Sequence, residues 1–254
     1  MEHNLEVALE NIIQLAKQNP EFNRELRKRL QIAPSANSAS SDKNTNETNL
    51  AETFDAFVKL QHDRCKKKAR LFYDNISNPK LYADLVSSYS EMLWYKSIHE
   101  TGRYFMFLNH QIENMVNYYC NNHDCWSKIK SKPANYDKFV YRYYDNNAKE
   151  NKEYIYTCRE NFFSPKTHAK IELNRISLWP KIIFWAFHSN NRAVINNNFS
   201  NLNDIMRIRN IMSHSNSERP IEDLLRIQKW ENPEAVFSYG HLENILKIIK
   251  ETID

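Results

Sequence analysis

The stretch GRYFMFLNHQIENMVNYYC, residues 102–120, says most about the fold. Its large apolar side chains recur at intervals of three and four: Phe105, Leu108, Ile112, Met115, Val116 and Tyr119. An α-helix has about 3.6 residues per turn, so this spacing places those side chains along one face. The stretch therefore predicts the central helix of a helical bundle.

Glycine is scarce in the chain. Only 2 of 254 residues are glycine, whereas tight hairpins, phosphate-binding loops and dinucleotide-binding folds use glycine for positive φ angles or close backbone approach. The composition therefore argues against Rossmann, P-loop and β-rich folds. Because 41% of the residues are hydrophobic, the chain can bury a sizeable core, and we expect an all-α fold.

Charge and cysteine content exclude few functions. The formal net charge of +4 permits nucleic acid or an acidic partner without requiring either. The 4 cysteines are irregularly spaced, unlike a disulfide framework, and no apolar signal-peptide core follows the first residues. The longest apolar stretch, IIFWAF at 182–187, is far shorter than the roughly 20 residues that span a bilayer. We expect a cytoplasmic protein without a membrane segment.

Three segments differ in composition. Residues 1–33 show two short amphipathic patterns separated by Asn19-Pro20, which predict a helical hairpin. Residues 34–50 are rich in Ser, Asn and Thr and predict a flexible linker. The helical pattern then returns, so residues 51–254 are expected to form the main α-helical domain.

Proline and capping residues suggest helix boundaries within the main domain. The first long helix should be interrupted near Pro79, and a later helix should begin near His168 and kink at Pro180. The three asparagines at 196–198 predict a loop, and Ser200 is expected to cap the next helix.

Two further helices are expected near the end of the chain. One has Pro220 in its first turn, and the last covers residues 240–252. Residues 121–165 show no clear period and carry no predicted structure.

The segment RIRNIMSHSN, residues 207–216, combines Arg209, Asn210 and His214 at the end of an amphipathic helix. An Arg-x4-His spacing arises readily by chance, but an asparagine directly after the arginine makes it rarer. Positions five apart on a continuous helix point about 140° from each other. Arg209 and His214 can therefore meet only if the helix ends between them or if a second copy contributes. Arg207, seven residues before His214, lies within about 20° of it on the helical wheel.

The longer segment LNDIMRIRNIMSHSN resembles the motif of the HEPN superfamily, in which an arginine is followed after four to six residues by a histidine. The resemblance implies a HEPN-like helical bundle that forms a homodimer with a composite active site. For many members it also implies a metal-independent endoribonuclease of antiviral defence or toxin–antitoxin systems. Residues 1–33 lie outside the resemblance and are a candidate docking element for an antitoxin or a sensor protein.

The motif residues suit RNA cleavage without a metal or cofactor. RNA supplies its own nucleophile, the 2′-hydroxyl, and needs a base, an acid and positive charge on the phosphorane. We assign His214 to proton transfer, Arg209 to the phosphate and Asn210 to orientation by hydrogen bonding. The expected product has a 2′,3′-cyclic phosphate and a 5′-hydroxyl.

Two readings of the motif do not involve catalysis. Arg209 could pair with a carboxylate such as Asp204 while His214 caps the helix, which would be a purely structural arrangement. Alternatively, a non-catalytic HEPN-like module could bind a nucleotidyltransferase-like or other protein partner.

Arg103 and His110 form a second arginine–histidine pair, seven residues apart on the central helix. They satisfy the looser spacing of the same family pattern but lack the asparagine and the capping context. Half-buried polar residues are the more common explanation for such a pair. Glu113 lies one turn from His110 and is a candidate polar neighbour.

The segment CNNHDC places Cys120, His123 and Cys125 close together, with Cys158 further along. The spacing does not match paired Cys-x-x-Cys zinc ligands, so we expect no metal site there.

RCKKKAR, residues 64–70, is the densest basic run. Lys66, Lys67 and Lys68 are candidate RNA-phosphate contacts, although most such runs are solvated helix faces. The many tyrosines between 118 and 156 could stack on bases, but aromatic residues at helical spacing are more often part of a core.

Overall fold

The computed structural model describes residues 43–98, 100–132, 138–145, 149–213, 230 and 236–253. These residues form α1 (Lys43–Phe72), α2 (Pro79–Ser97), α3 (Thr101–Asn122), α4 (Cys125–Ser131), β1 (Lys138–Asp145), β2 (Glu150–Thr157), α5 (Cys158–Phe162), α6 (Leu178–His188), α7 (Arg192–Ser213) and α8 (Val236–Lys250). A short 3-10 turn, Leu173–Arg175, precedes α6. The protein is mostly helical, so the prediction of an all-α fold is confirmed.

The chain divides into two compact units between Gln61 and His62, within α1. The first unit is described only as the helical residues 43–61. Residues 43–50 are helical where the sequence predicts a linker, because an existing helix can extend into weak helix formers at the cost of only one residue's freedom per hydrogen bond. The predicted hairpin, residues 1–33, lies outside the described residues.

Helix α3 occupies the centre of the second unit. The apolar side chains of the stretch 102–120 that the sequence places on one face are buried. Helices α2, α6, α7 and α8 all contact α3. Burying one large apolar side chain contributes about 1.5–3 kcal/mol, so this face of α3 is a major source of stability.

Gln111 fixes the register of three helices inside this core. Its side chain is fully buried. The Tyr73 hydroxyl after α1 donates to Gln111 Oε1 at 2.8 Å, and Gln111 Nε2 donates to the Phe107 carbonyl of its own helix at 3.0 Å. Nε2 also lies 3.3 Å from Met92 Sδ of α2. A buried amide must satisfy its polar atoms, so these contacts restrict how α1, α2 and α3 can slide.

Two predicted helix boundaries are correct. Pro79 is the first residue of α2, and the Asn78 side chain caps that helix by accepting from the Leu81 amide at 2.9 Å. The final helix is also present, although α8 begins at Val236 rather than at residue 240. The helix expected around Pro220 falls outside the described residues.

The helix predicted from His168 is wrong. Residues 168–177 contain only a 3-10 turn, and α6 begins at Leu178 with Pro180 in its first turn. Proline lacks an amide hydrogen, and its ring clashes with the carbonyl four residues earlier, but neither matters in a first turn. Pro180 therefore marks the start of a helix and not a kink.

The loop predicted at 196–198 is present only as a kink in α7, where Asn198 is non-helical at φ −123° and ψ 15°. The cap predicted at Ser200 is wrong, because Ser200 lies within the helix. Ile195 and Phe199 are buried on either side of this residue. Tertiary burial of these two side chains overrides the weak helix propensity of the asparagines.

An antiparallel hairpin, β1 with β2, lies in the segment that had no predicted structure. The scarcity of glycine argues against a β-rich fold, and a two-stranded hairpin is compatible with that expectation. Lys149, directly before β2, adopts the left-handed conformation at φ 53° that glycine would usually supply.

One face of this hairpin is aromatic. Phe139 pairs with Tyr156 and Tyr141 pairs with Tyr154. These rings pack on α7 and α6: Tyr141 stacks on Phe199 at 3.8 Å, and Tyr156 stacks on Trp179 at 5.2 Å between ring centroids. Tyr141, Tyr154 and Tyr156 therefore pack against the core, in agreement with the more common role of such aromatic residues. No helix in the described part of the chain is long and apolar enough to cross a membrane.

Helices α3 and α6 share a buried ion pair. Lys181 is fully buried, and its Nζ lies 3.0 Å from Glu113 Oε1 and 3.3 Å from the Leu173 carbonyl. The Glu113 side chain is 30% exposed. Loss of the carboxylate would leave a buried ammonium without a counter-charge, whereas loss of the ammonium would leave a carboxylate that water can reach.

This asymmetry predicts that Glu113→Gln destabilises the fold more than Lys181→Met. We expect Glu113→Gln to lower the free energy of unfolding by about 3 kcal/mol and Lys181→Met by less than half as much, as measured by urea unfolding. Glu243→Gln is the control because its partner Lys96 is 34% exposed, and it should cost at most about 1 kcal/mol. Equal losses in all three variants would contradict the prediction.

Candidate functional site

Arg209 and Asn210 lie in the last described turn of α7. Both side chains are exposed, whereas Ile208 beside them is fully buried. Arg209 Nη1 donates to Asn210 Oδ1 at 3.1 Å, and Ser213 Oγ donates to the Arg209 carbonyl at 2.9 Å. A serine that binds the carbonyl four residues earlier competes with the helical pattern and is common near helix ends. His214 lies just beyond the described residues.

Arg207 occupies the opposite flank of α7. Two residues along a helix correspond to about 200°, so Arg207 and Arg209 point to different sides. Arg207 Nη2 lies 3.4 Å from the Tyr154 hydroxyl of β2. Burial, together with Tyr154, raises the pKa of Tyr156, and the charge of Arg207 partly offsets that increase. The structure thus places Arg207 at the hairpin and not beside Arg209.

Asp204 is not the partner of Arg209. Asp204 is 3% exposed and accepts a hydrogen bond from Trp230 Nε1 at 3.2 Å. The guanidinium of Arg209 remains at the surface and contacts Asn210. The structural explanation of the motif as an Arg209–Asp204 pair therefore does not hold.

The end of α7 rests on the start of α3. A Cβ atom added at Gly102 would lie 2.5 Å from Met212 Sδ and 2.7 Å from Met212 Cε. Glycine at this position lets the thioether approach the α3 backbone closely. An isolated glycine inside a helical pattern is a sequence signal for such an approach. Gly102 is therefore the feature of the sequence that could have indicated the contact with Met212.

Arg103 consequently lies at the same end of the bundle as the motif. Its Nη1 donates to the Tyr95 hydroxyl of α2 at 3.0 Å, and its guanidinium carbon lies 5.1 Å from the centre of that ring. The hydrogen bond to Tyr95 raises the pKa of Arg103. The guanidinium therefore stays charged at an exposed position.

His110, the histidine of the second pair, and its candidate neighbour Glu113 contact other residues. His110 is exposed, and its imidazole Nε2 lies 3.1 Å from Asn114 Nδ2. Glu113 binds the buried Lys181 and does not join His110 in a polar cluster. Arg103 and His110 thus show no mutual contact that would make them a catalytic pair.

Lys66, Lys67 and Lys68 are all exposed on α1, while Cys65 and Ala69 on either side are buried. These lysines are available to a polyanion in solution. One turn before them, the His62 ring stacks on Trp94 of α2, with 4.4 Å between centroids. Trp94 directly precedes Tyr95, which contacts Arg103. The basic run therefore begins near the end of the bundle that carries the motif.

The cysteines face the core. Cys65, Cys120, Cys125 and Cys158 are buried free thiols, and Cys158 Sγ donates to the Pro180 carbonyl at 3.3 Å. Burial, with a contribution from Cys125, raises the pKa of the Cys120 thiol, which disfavours the thiolate that a metal needs. Among the described residues, no group of three or more His, Cys, Asp and Glu side chains is arranged to hold a metal ion.

No family model, curated protein or solved structure matches this chain. The chemistry of the exposed side chains is therefore what bears on function. The exposed pair Arg209–Asn210, the neighbouring Arg103 and the basic run on α1 are the features that need explanation.

The exposure of Arg209 predicts that it contributes little to stability. Arg209→Ala should change the free energy of unfolding by less than about 0.5 kcal/mol. Asp204→Ala should cost about 1–3 kcal/mol, because it removes a hydrogen bond that the buried Trp230 indole donates. Urea unfolding of both variants tests the contrast. A large loss in Arg209→Ala would show that the arginine is structural.

Proposed function

We propose that this protein is a metal-independent endoribonuclease of HEPN type. One observation carries the proposal: the guanidinium of Arg209 is exposed, borders Asn210 at 3.1 Å and has no core role. In sequence it precedes His214 by five residues. An arginine, an amide and a histidine together supply positive charge, orientation and proton transfer.

Each residue has a distinct role in the proposed reaction. Arg209 binds the scissile phosphate and stabilises the charge that develops on it as the 2′-hydroxyl attacks. Asn210 holds the guanidinium, or the phosphate, by hydrogen bonding. His214 removes the proton from the 2′-hydroxyl or donates one to the 5′-oxygen, since its reference pKa of about 6.5 suits either task near neutral pH.

A homodimer would provide both proton-transfer groups. One His214 would act as base and the partner's His214 as acid, so the composite site would need no metal or cofactor. A role in phage defence or in a toxin–antitoxin system agrees with this chemistry, and residues 1–33 are the proposed docking element for an antitoxin or sensor protein.

The surroundings of the motif favour RNA as the ligand. Arg103 lies at the same end of the bundle, Arg207 lies on the hairpin flank, and the basic run of α1 begins near Trp94. Clustered exposed cations recruit the phosphate backbone without reading sequence.

The deciding experiment is RNA cleavage in EDTA. We expect the unaltered protein to leave 2′,3′-cyclic phosphate ends in a mixed tRNA and messenger RNA pool, and His214→Ala to leave none. Arg209→Ala should reduce the rate by about 10²–10³-fold, the usual loss when one charge-stabilising donor is removed.

Arg103→Ala is the matched control. It removes an exposed arginine that the proposal gives a role in RNA recruitment only, and it leaves the proposed catalytic residues. It should therefore retain cleavage within about tenfold. If all proteins are folded and none cleaves RNA, the proposal fails, and the alternative of a non-catalytic HEPN-like module that binds a nucleotidyltransferase-like or other protein partner moves ahead.

Replacement of Lys66, Lys67 and Lys68 by glutamine should weaken RNA binding without changing the cleavage site. For single-stranded RNA each lost phosphate contact lowers the slope of log affinity against log salt by about 0.7, so the triple variant should lose about 2 in slope. Fluorescence anisotropy with labelled RNA at several salt concentrations measures it. An unchanged slope would place these lysines outside the RNA path.

A further inference from the structure

A second cluster of titratable side chains lies at the far end of α3. Tyr119 and His123 come from its last turn and C-cap, His188 ends α6, and Lys128 belongs to α4. Tyr119 is 17 residues after Gly102, which corresponds to about 26 Å along the helix axis. The cluster is therefore well separated from the end of α3 that meets the motif helix.

His188 is held between a hydroxyl group and an ammonium group. The Tyr119 hydroxyl lies 2.6 Å from His188 Nδ1, and Lys128 Nζ lies 2.7 Å from His188 Nε2. An ammonium group can only donate, so Nε2 must accept and the ring hydrogen must lie on Nδ1. Nδ1 then donates to the Tyr119 oxygen. The contacts thus define a neutral His188 whose Nε2 lone pair accepts a hydrogen bond from the Lys128 ammonium.

His123 completes the group. Its ring centroid lies 4.9 Å from that of His188 and 4.1 Å from that of Tyr119. His123 is half-buried, whereas His188 is exposed. Two imidazoles and an ammonium therefore share one accessible surface.

Positive charge dominates this surface. Desolvation and the charge of Lys128 lower the pKa of His123. The pKa of His188 is lowered by desolvation and by Lys128, His123 and Lys132. The nearby carboxylate of Asp124 accepts a hydrogen bond from the Ser127 amide and caps α4.

The charge of this surface selects the ligand. A cation would be repelled by Lys128, whose Nζ already occupies the lone pair of His188 that a metal would need. A tetrahedral dianion would draw the Lys128 ammonium from His188 Nε2 and accept a hydrogen bond from it. The anion would then favour protonation of His188 and His123, each of which becomes a further donor. We propose that Lys128, His188 and His123 form a binding site for a phosphate group.

The phosphate group can come from two sources, a free phosphate or a nucleotide. The site goes beyond the proposed RNA cleavage and does not depend on it, because no motif residue takes part. Its presence can be tested with the full chain whether or not the protein cleaves RNA.

NMR of the histidine ring signals tests the site directly. With added inorganic phosphate, the signals of His188 and His123 should shift and saturate, and the pKa of His188 should rise. Sulfate, a tetrahedral dianion that does not titrate in this range, should bind more tightly as the pH falls from 8 to 5 because the bound anion favours the protonated imidazole. Chloride at matched ionic strength should give no saturable shift.

Variants separate a built site from general charge attraction. Lys128→Met should weaken phosphate binding by roughly tenfold or more, whereas Lys128→Arg should retain most of it. Lys80→Met, which removes an exposed lysine of α2, should leave it unchanged. The proposal is overturned if chloride reproduces the shifts, or if Lys128→Met and Lys80→Met bind phosphate equally.

Parallel titrations with adenosine 5′-monophosphate identify the source of the phosphate. Tighter binding than inorganic phosphate indicates a nucleotide, and equal or weaker binding indicates the free anion. Either result supports a phosphate site, provided that Lys128→Met weakens it.

Discussion

The buried face of α3 is the constraint on which the rest of the second unit depends. Helices α2, α6, α7 and α8 contact it, and its fully buried amide, Gln111, binds Tyr73 and lies against Met92. Because Glu113 on the same helix also compensates the buried Lys181 of α6, α3 sets both the apolar and the ionic register of its neighbours. Its two ends thereby become the places where side chains from distant parts of the chain meet.

The sequence predicts those elements whose signals are local. The helical period of residues 102–120 and the interruption near Pro79 each depend on neighbouring residues, and both predictions are correct. The hairpin carries no prediction because residues 121–165 show no clear period. Val140 faces outward between Phe139 and Tyr141, but all three are apolar, so the sequence does not display the alternation of a half-buried strand. The kink predicted at Pro180 is wrong because the sequence alone does not distinguish a proline inside a helix from one in its first turn.

The residues of the candidate sites also divide into those that a local sequence signal identifies and those that only tertiary packing brings together. Arg209 and Asn210 could be chosen from sequence because they are adjacent, and their exposure agrees with a role at the surface. The sequence does not show that Arg103 lies near the motif. This proximity depends on Met212 packing against Gly102, more than a hundred residues earlier in the chain. His123 and His188 are also far apart in sequence, so only the packing of α3 against α6 brings their rings together.

The burial of all four cysteines has a practical meaning for chemistry in solution. Cys65, Cys120, Cys125 and Cys158 are free but shielded from water, so a thiol reagent can modify them only when the surrounding helices open. Cys65 lies on α1, whereas the other three lie near α3, α4 and α5. Their separate labelling rates would therefore distinguish local opening of the first helix from opening of the centre, with no added probe.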